Sequence, residues 1–268
     1  MIEFLPKILV ATAVAIAFAL LRKYMPASGS AELPRAVSTE ELDSRFGSVQ
    51  WMIGFGMIVV GIAFAWITHK WLVGLNQFFA ASEGPAYFRL LPSSAIWWFF
   101  PGFGAITLTW EITRTIWAMF AARETVDMYI KWTNLKAGFN STKALRWMAL
   151  LIAMPIGVVT VLASPMHTTI HADEMRIRRY ASSSSLRYSY KDARWIAIVS
   201  GFRERSGKFD PRAEILVEFA DGYKWSSVTN RDFIPTLDQN LANFLMARIN
   251  LPVHYAETES DLHIGQIH

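Results

Sequence analysis

Residues 51–68, WMIGFGMIVVGIAFAWIT, run for 18 positions without a charged side chain. Such a run nearly fills the ~30 Å hydrocarbon layer of a bilayer, and inside that layer every backbone N–H and C=O must be satisfied within the segment, which selects an α-helix. Trp51, Trp66 and Trp71 fall near its two ends, where amphipathic rings collect at the membrane interface. Gly54, Gly56 and Gly61 supply small surfaces on which a second helix can pack closely.

Three further segments share this character. The run ILVATAVAIAFALL at 8–21, extended by Phe4 and Leu5, predicts an uncleaved helix over about 4–24, because its basic residues Arg22 and Lys23 follow the apolar stretch and no small-residue cleavage site does. A segment over 95–121 is interrupted by Pro101, Gly102 and Gly104, whereas 145–164 spans comfortably and kinks at Pro155. The composition agrees: hydrophobic residues make up 53% and charged residues 18%, against roughly 45–50% and about 25% for soluble domains. The expectation is a membrane region over 1–165 with three or four helices at about 4–24, 51–71, 95–121 and 145–164. Residues 25–48 read as a loop, in which STEEL starts a short helix, and 121–146 as a polar loop.

After Pro165 the apolar period changes to two. EMRIRRY (174–180), LRYSY (186–190), RWIAIVSGF (194–202), AEILVEF (213–219) and YKWSSVT (223–229) predict strands, with HTTIH (167–171) as a further candidate. The segments HADE, ASSSS, SGKFDP and ADG between them carry turn chemistry. In FIPTLDQNLANFLMARI, Ile234, Leu237, Leu241, Phe244, Leu245 and Arg248 share one helical stripe, with Asp232 near the N-cap. This unit covers 166–251, leaving 252–268 as a tail.

Consecutive antiparallel strands closed by one amphipathic helix, directly after membrane helices, resemble the bacterial membrane-anchored PH-like (pleckstrin-homology-like) domain proteins. IHADEMRIRRY, LRYSYKDARWIAIV and VEFADGYKWSSV with the closing helix carry the resemblance, over about 144–250. It implies a mainly β barrel plugged by its C-terminal amphipathic helix, a binding or scaffolding role without a shared catalytic motif, and a plasma-membrane location. The two hydrophobic segments before residue 72 fall outside it.

The chemistry-bearing candidates are few. Glu111 and Arg114, three apart on one helical face with Thr107 and Thr115 nearby, place an ion pair in a membrane-like segment, which suggests either a transporter or channel subunit or a structural lock between helices. Arg176, Arg178, Arg187 and Lys191 form a candidate patch for lipid headgroups or an anionic protein partner, with Arg176 and Arg178 on one strand face. His167 and His171 would stand about 13 Å apart on a strand, too far to share a metal. With no cysteine, no P-loop, no dinucleotide fingerprint, no nucleophile elbow and no HExxH, the sequence predicts no catalytic site, metal or cofactor. The net charge of +4 reflects an Arg/Lys excess in membrane loops rather than a nucleic-acid surface.

Two arguments about orientation disagree. With four crossings, the loops 22–50 and 121–146 share one side and hold nine Lys/Arg, which puts both termini outside the cytoplasm. The resemblance instead favours a cytoplasmic C-terminal domain, with the 95–121 segment not crossing. The expected function is a membrane-anchored, multi-pass, non-catalytic protein that recruits a lipid or protein partner, with transport through the Glu111/Arg114 segment as the alternative.

Overall fold

The computed structural model describes residues 19–20, 22–26, 39–203, 208–211, 213–227 and 238–262. Most of the expected first helix, Asp232, Ile234, Leu237 and the terminal HIGQIH lie outside the described residues. The chain divides into two compact units, one from Met1–Thr68 and Phe99–Val158, the other from His69–Trp98 and Val159–His268.

Helix α1 (Thr39–Ser82) is a single element of 44 residues, about 66 Å long at ~1.5 Å per residue. It therefore absorbs residues 39–48 of the expected loop. Leu42, Phe46, Val49, Ile53 and Met57 recur every three or four positions on one face, and the aromatic side chains of α3 cover that face. A 3-10 turn at Ser94–Trp98 leads into α2 (Phe99–Phe120), followed by α3 (Arg123–Ala137). Helices α4 (Ser141–Met148) and α5 (Met154–Ala163) are joined by a π turn over Ala149–Ala153. That turn precedes Pro155, whose missing N–H frees a carbonyl in the ladder.

In the helical unit α1 and α2 run antiparallel, since a Cβ on Gly61 would meet Thr109 at 3.2 Å and one on Gly56 would meet Thr113 at 3.7 Å. Helix α5 lies equally close to α2, where a Cβ on Gly157 would stand 2.7 Å from the Phe100 ring. Leu42, Phe46, Ile53, Trp110, Tyr129 and Trp132 form the core of this unit.

The second unit is built from strands β1 (Phe88–Leu90), β2 (His167–Ile170), β3 (Glu174–Arg178) and β4 (Leu186–Ser189), which form one antiparallel sheet in that order. Strands β5 (Ala193–Val199), β8 (Glu214–Phe219), β9 (Lys224–Ser226) and β10 (Val253–Ala256) form a second, ordered β10-β5-β8-β9, and β6 (Phe202–Arg203) with β7 (Phe209–Asp210) a small ribbon. Helix α6 (Gln239–Ile249) is capped by Asp238, whose side chain accepts from the backbone N–H groups of Asn240 and Leu241, and stops at Asn250 in the left-handed region at φ 53°. The core gathers Ile170, Met175 and Ile177 from one sheet, Ile196, Val217 and Trp225 from the other, and Leu241 and Leu245 from α6.

These findings correct the expected fold of three or four membrane helices followed by a PH-like barrel. Among the described residues two helical stretches, Glu40–Ser82 and Ser141–Ala163, are long and apolar enough to cross a membrane. Helix α2 carries Glu111, Arg114 and four threonines, which lower its apolarity. Among the described residues the β elements do not close into a barrel. The 3-10 turn Tyr190–Asp192 carries the chain from β4 into the other sheet, so β4 and β5 are not neighbours. Each sheet also gains an edge from outside the expected 166–251 domain: β1 comes from between the helices, and β10 pairs parallel with β5 from the expected tail.

Candidate functional site

In the helical unit the expected ion pair is part of a larger cluster. Arg114 donates from Nη2 to Glu111 Oε2 at 2.7 Å, and Arg146, on α4, donates from Nε to Glu111 Oε1 at 2.7 Å. Glu111 is thus held between two guanidinium groups on two helices, and its lone pairs are spent on charge-assisted hydrogen bonds. The expected polar strip does not extend this cluster: Thr107 donates to the Phe103 carbonyl and Thr115 to the Glu111 carbonyl, each satisfied on its own helix. Trp110 Nε1 donates to Thr142 Oγ1 at 3.1 Å, and Trp132 Nε1 to Asp43 Oδ1 at 2.8 Å, so the helices are tied at several levels.

In the second unit, alternation along β1–β4 sends one set of side chains to the core and the other to a polar face carrying Arg89, His167, Thr169, Arg176, Arg178 and Arg187. The chain just beyond α1 meets this face. Glu83 accepts from the Ser185 hydroxyl and lies 3.6 Å from Arg176 Nη1, while Arg176 donates to Glu174 Oε1 at 2.6 Å and to the Glu83 carbonyl at 2.7 Å. Burial pushes the Glu83 carboxyl up, but the Ser185 hydrogen bond and the charges of Arg176 and Arg178, joined by His167 once it is protonated at low pH, hold it below the ordinary carboxylate range. His167 is fully buried, its Nε2 3.8 Å from Glu83 Oε1, and neither ring nitrogen has a hydrogen-bond partner among the described residues. Burial pulls its pKa down, and Arg178 adds to this, against opposing pulls from the Pro165 carbonyl and Glu83. The imidazole is therefore held neutral at pH 7.

The expected arginine patch is only partly assembled. Arg176 and Arg187 are cross-strand neighbours, and Arg178 donates to the carbonyls of Ser182 and Ser183 with its guanidinium 5.1 Å from the Phe79 ring centre. Arg176 and Arg178 are thus consumed internally, whereas Arg187 and Lys191 are exposed. Lys191 lies beyond the far end of β4, in the 3-10 turn Tyr190–Asp192. His167 and His171 hold no metal cluster, and none exists among the described residues.

An open cleft of about 740 Å³ lies beside this face, lined by Tyr87, His171, Asp173, Glu174, Arg176 and Ser189. Tyr190 braces two of these lining residues, its hydroxyl donating to the carbonyls of His171 and Glu174. His171 Nε2 lies 3.1 Å from Thr169 Oγ1 and the Tyr87 ring packs 5.0 Å from that of Phe244. The sequence reading missed Arg146 and Glu83. The signal for Arg146 was a base at the start of a spanning segment with no partner of its own. Glu83 had none, since its partners lie about ninety residues away. No protein-family model, curated protein or solved structure matches the chain.

Proposed function

We propose that this is a multi-pass membrane protein of the plasma membrane that acts by binding, its β unit holding a lipid or protein partner at the bilayer surface without catalysis. The observation that carries the reading is the pairing of β1 with β2, at Arg89 opposite Thr169. Hydrogen-bonded strands lie on one side of a bilayer, so the chain over 91–166 crosses it an even number of times. If the 141–163 stretch is one crossing, a second is required. With the two apolar helices, α1 and the 141–163 stretch, each crossing once, Glu40 and Glu124 lie across the bilayer from Ser183.

The clamp on Glu111 supports a locking role for that residue over a transport role, since its oxygens are occupied by Arg114 and Arg146. The test uses the absence of native cysteine. Single cysteines at Glu40, Glu124 and Ser183, labelled in intact cells with a membrane-impermeant thiol reagent, are expected to give one pattern for the first two and the opposite for Ser183. Identical labelling of Glu124 and Ser183 would overturn the topology. A photo-crosslinker at Ser189, in the cleft, is expected to trap a partner in native membranes, and one at Arg194 on β5 is not. Equal trapping from both, or none from either, would sink the binding role.

A further inference from the structure

The β3–β4 hairpin is docked on the end of a helix. The backbone N–H of Ala181, in the left-handed region at φ 53°, donates to the Leu162 carbonyl at 2.9 Å, and Leu162 lies in the last turn of the apolar stretch ending at Ala163. Ser185 reaches Glu83, just past the end of α1, and Arg178 covers Phe79 one turn earlier. The ends of both helices are themselves joined: the Asn76 amide, almost wholly buried, donates to the carbonyls of Ser164 and Met166 at 2.7 and 2.8 Å. The hairpin thus sits one hydrogen bond from the last apolar turn. If that turn marks the edge of a ~30 Å hydrocarbon layer, the hairpin occupies the headgroup zone, about 5–8 Å deep on each side.

Its chemistry suits that zone. Residues 175–191 carry four arginines and Lys191 with no acid. Arg176 is neutralised by Glu83 and Glu174, and Arg178 is spent on two backbone carbonyls. Arg179 and Arg187 remain exposed, Arg179 with its guanidinium 4.4 Å from the Tyr223 ring centre, a stacking that leaves its N–H groups directed outward around the guanidinium edge. Tyr180, next to Arg179 in the chain, is 45% exposed, an amphipathic ring of the kind that collects at the interface. Asp221, in the turn before β9, is engaged by the Tyr188 hydroxyl and the Tyr223 N–H.

Resting on the membrane reading above, we propose that this hairpin is a binding site for the phosphodiester headgroups of anionic phospholipids, with Arg179 and Arg187 as the contacting cations and Tyr180 as the interfacial anchor. Arg176 and Arg178 serve to shape the hairpin and do not contact lipid.

The experiment uses the full chain in nanodiscs of mixed phosphatidylcholine and phosphatidylglycerol, with a dye on Ser183→Cys and trace acceptor-labelled lipid of either kind. Energy transfer is expected to report enrichment of phosphatidylglycerol over phosphatidylcholine. The enrichment should fall by roughly fivefold for each arginine removed in Arg179→Gln/Arg187→Gln and persist in Arg179→Lys/Arg187→Lys. An unchanged thermal midpoint in the Gln variant excludes loss of the fold. Wild-type chain without enrichment, or enrichment untouched in the Gln variant, overturns the site while leaving the membrane reading intact. Release of the chain from native membranes by alkaline carbonate overturns the membrane reading itself, and the site with it.

Discussion

Arg146 Nε lies 2.7 Å from Glu111 Oε1, across 35 residues of sequence and between two helices. Because Arg114 holds the other oxygen, Glu111→Gln leaves two guanidinium groups facing one neutral amide. The expected loss is about 1–2 kcal/mol in the helical unit, limited by the partial exposure of all three side chains. Thermal unfolding in detergent, with a double-mutant cycle against Arg146→Gln, checks it. Strict additivity of the two single substitutions would show that the contact contributes nothing.

Arg176 and Arg187 stand opposite each other on β3 and β4 but differ in role. Arg176→Gln strands two carboxylates, Glu83 and Glu174, and should cost the β unit about 1–3 kcal/mol. Arg187→Gln, at an exposed position, should stay within about 0.5 kcal/mol. Chemical denaturation of the two variants separates the cases, and equal effects would contradict the assignment.

Acid should destabilise the β unit in two stages. His167 has a lowered folded pKa, so the folded state binds fewer protons and its contribution is complete above the ordinary value of 6.5 and lost as pH falls through it. Glu83, also lowered, keeps its contribution above 4.5 and loses it at still lower pH. His167→Phe should flatten the stability profile over the interval just below pH 6.5 while retaining the decline below 4.5. A wild-type profile flat over that interval would disprove the burial of a neutral imidazole.

Gly157→Ala brings a methyl group within 2.7 Å of the Phe100 ring and should cost about 1–3 kcal/mol by overpacking. Gly54→Ala, with nothing within 4 Å, should be neutral or stabilise α1 by up to about 1 kcal/mol. The contrast in thermal midpoint between the two is the measurement.

What could be read from the sequence was what local periodicity records. The strands from His167, Glu174, Leu186, Glu214 and Lys224 lie within the runs that predicted them, β5 begins one residue before its run and ends at Val199, and Gly222, at φ 83°, makes the Asp-Gly turn. Phe88–Leu90 was not legible, because three residues carry no periodicity and gain their strand character only from β2. Residues 253–256 were equally silent, since a parallel edge depends on β5 rather than on any adjacent turn. The same limit applies to the site. Glu111 and Arg114 were visible as a pair three apart, but Arg146 completes the cluster through packing. Arg176 and Arg178 looked like surface charge until Glu83 and the Ser182 and Ser183 carbonyls claimed them.

The pairing of Arg89 with Thr169 also has a consequence for biogenesis. Some eighty residues separate the partners, so at synthesis rates of about 5–20 residues per second the short β1 segment waits roughly 4–16 s before its neighbour exists. During that interval its apolar flank, Phe88 and Leu90, has no sheet to cover it. The second sheet is completed later in the chain, since β5 gains its β10 edge only when residues 253–256 have been made. A chain halted anywhere before that point carries an open strand edge on its β unit, the kind of surface that holdase chaperones bind and quality-control proteases cut.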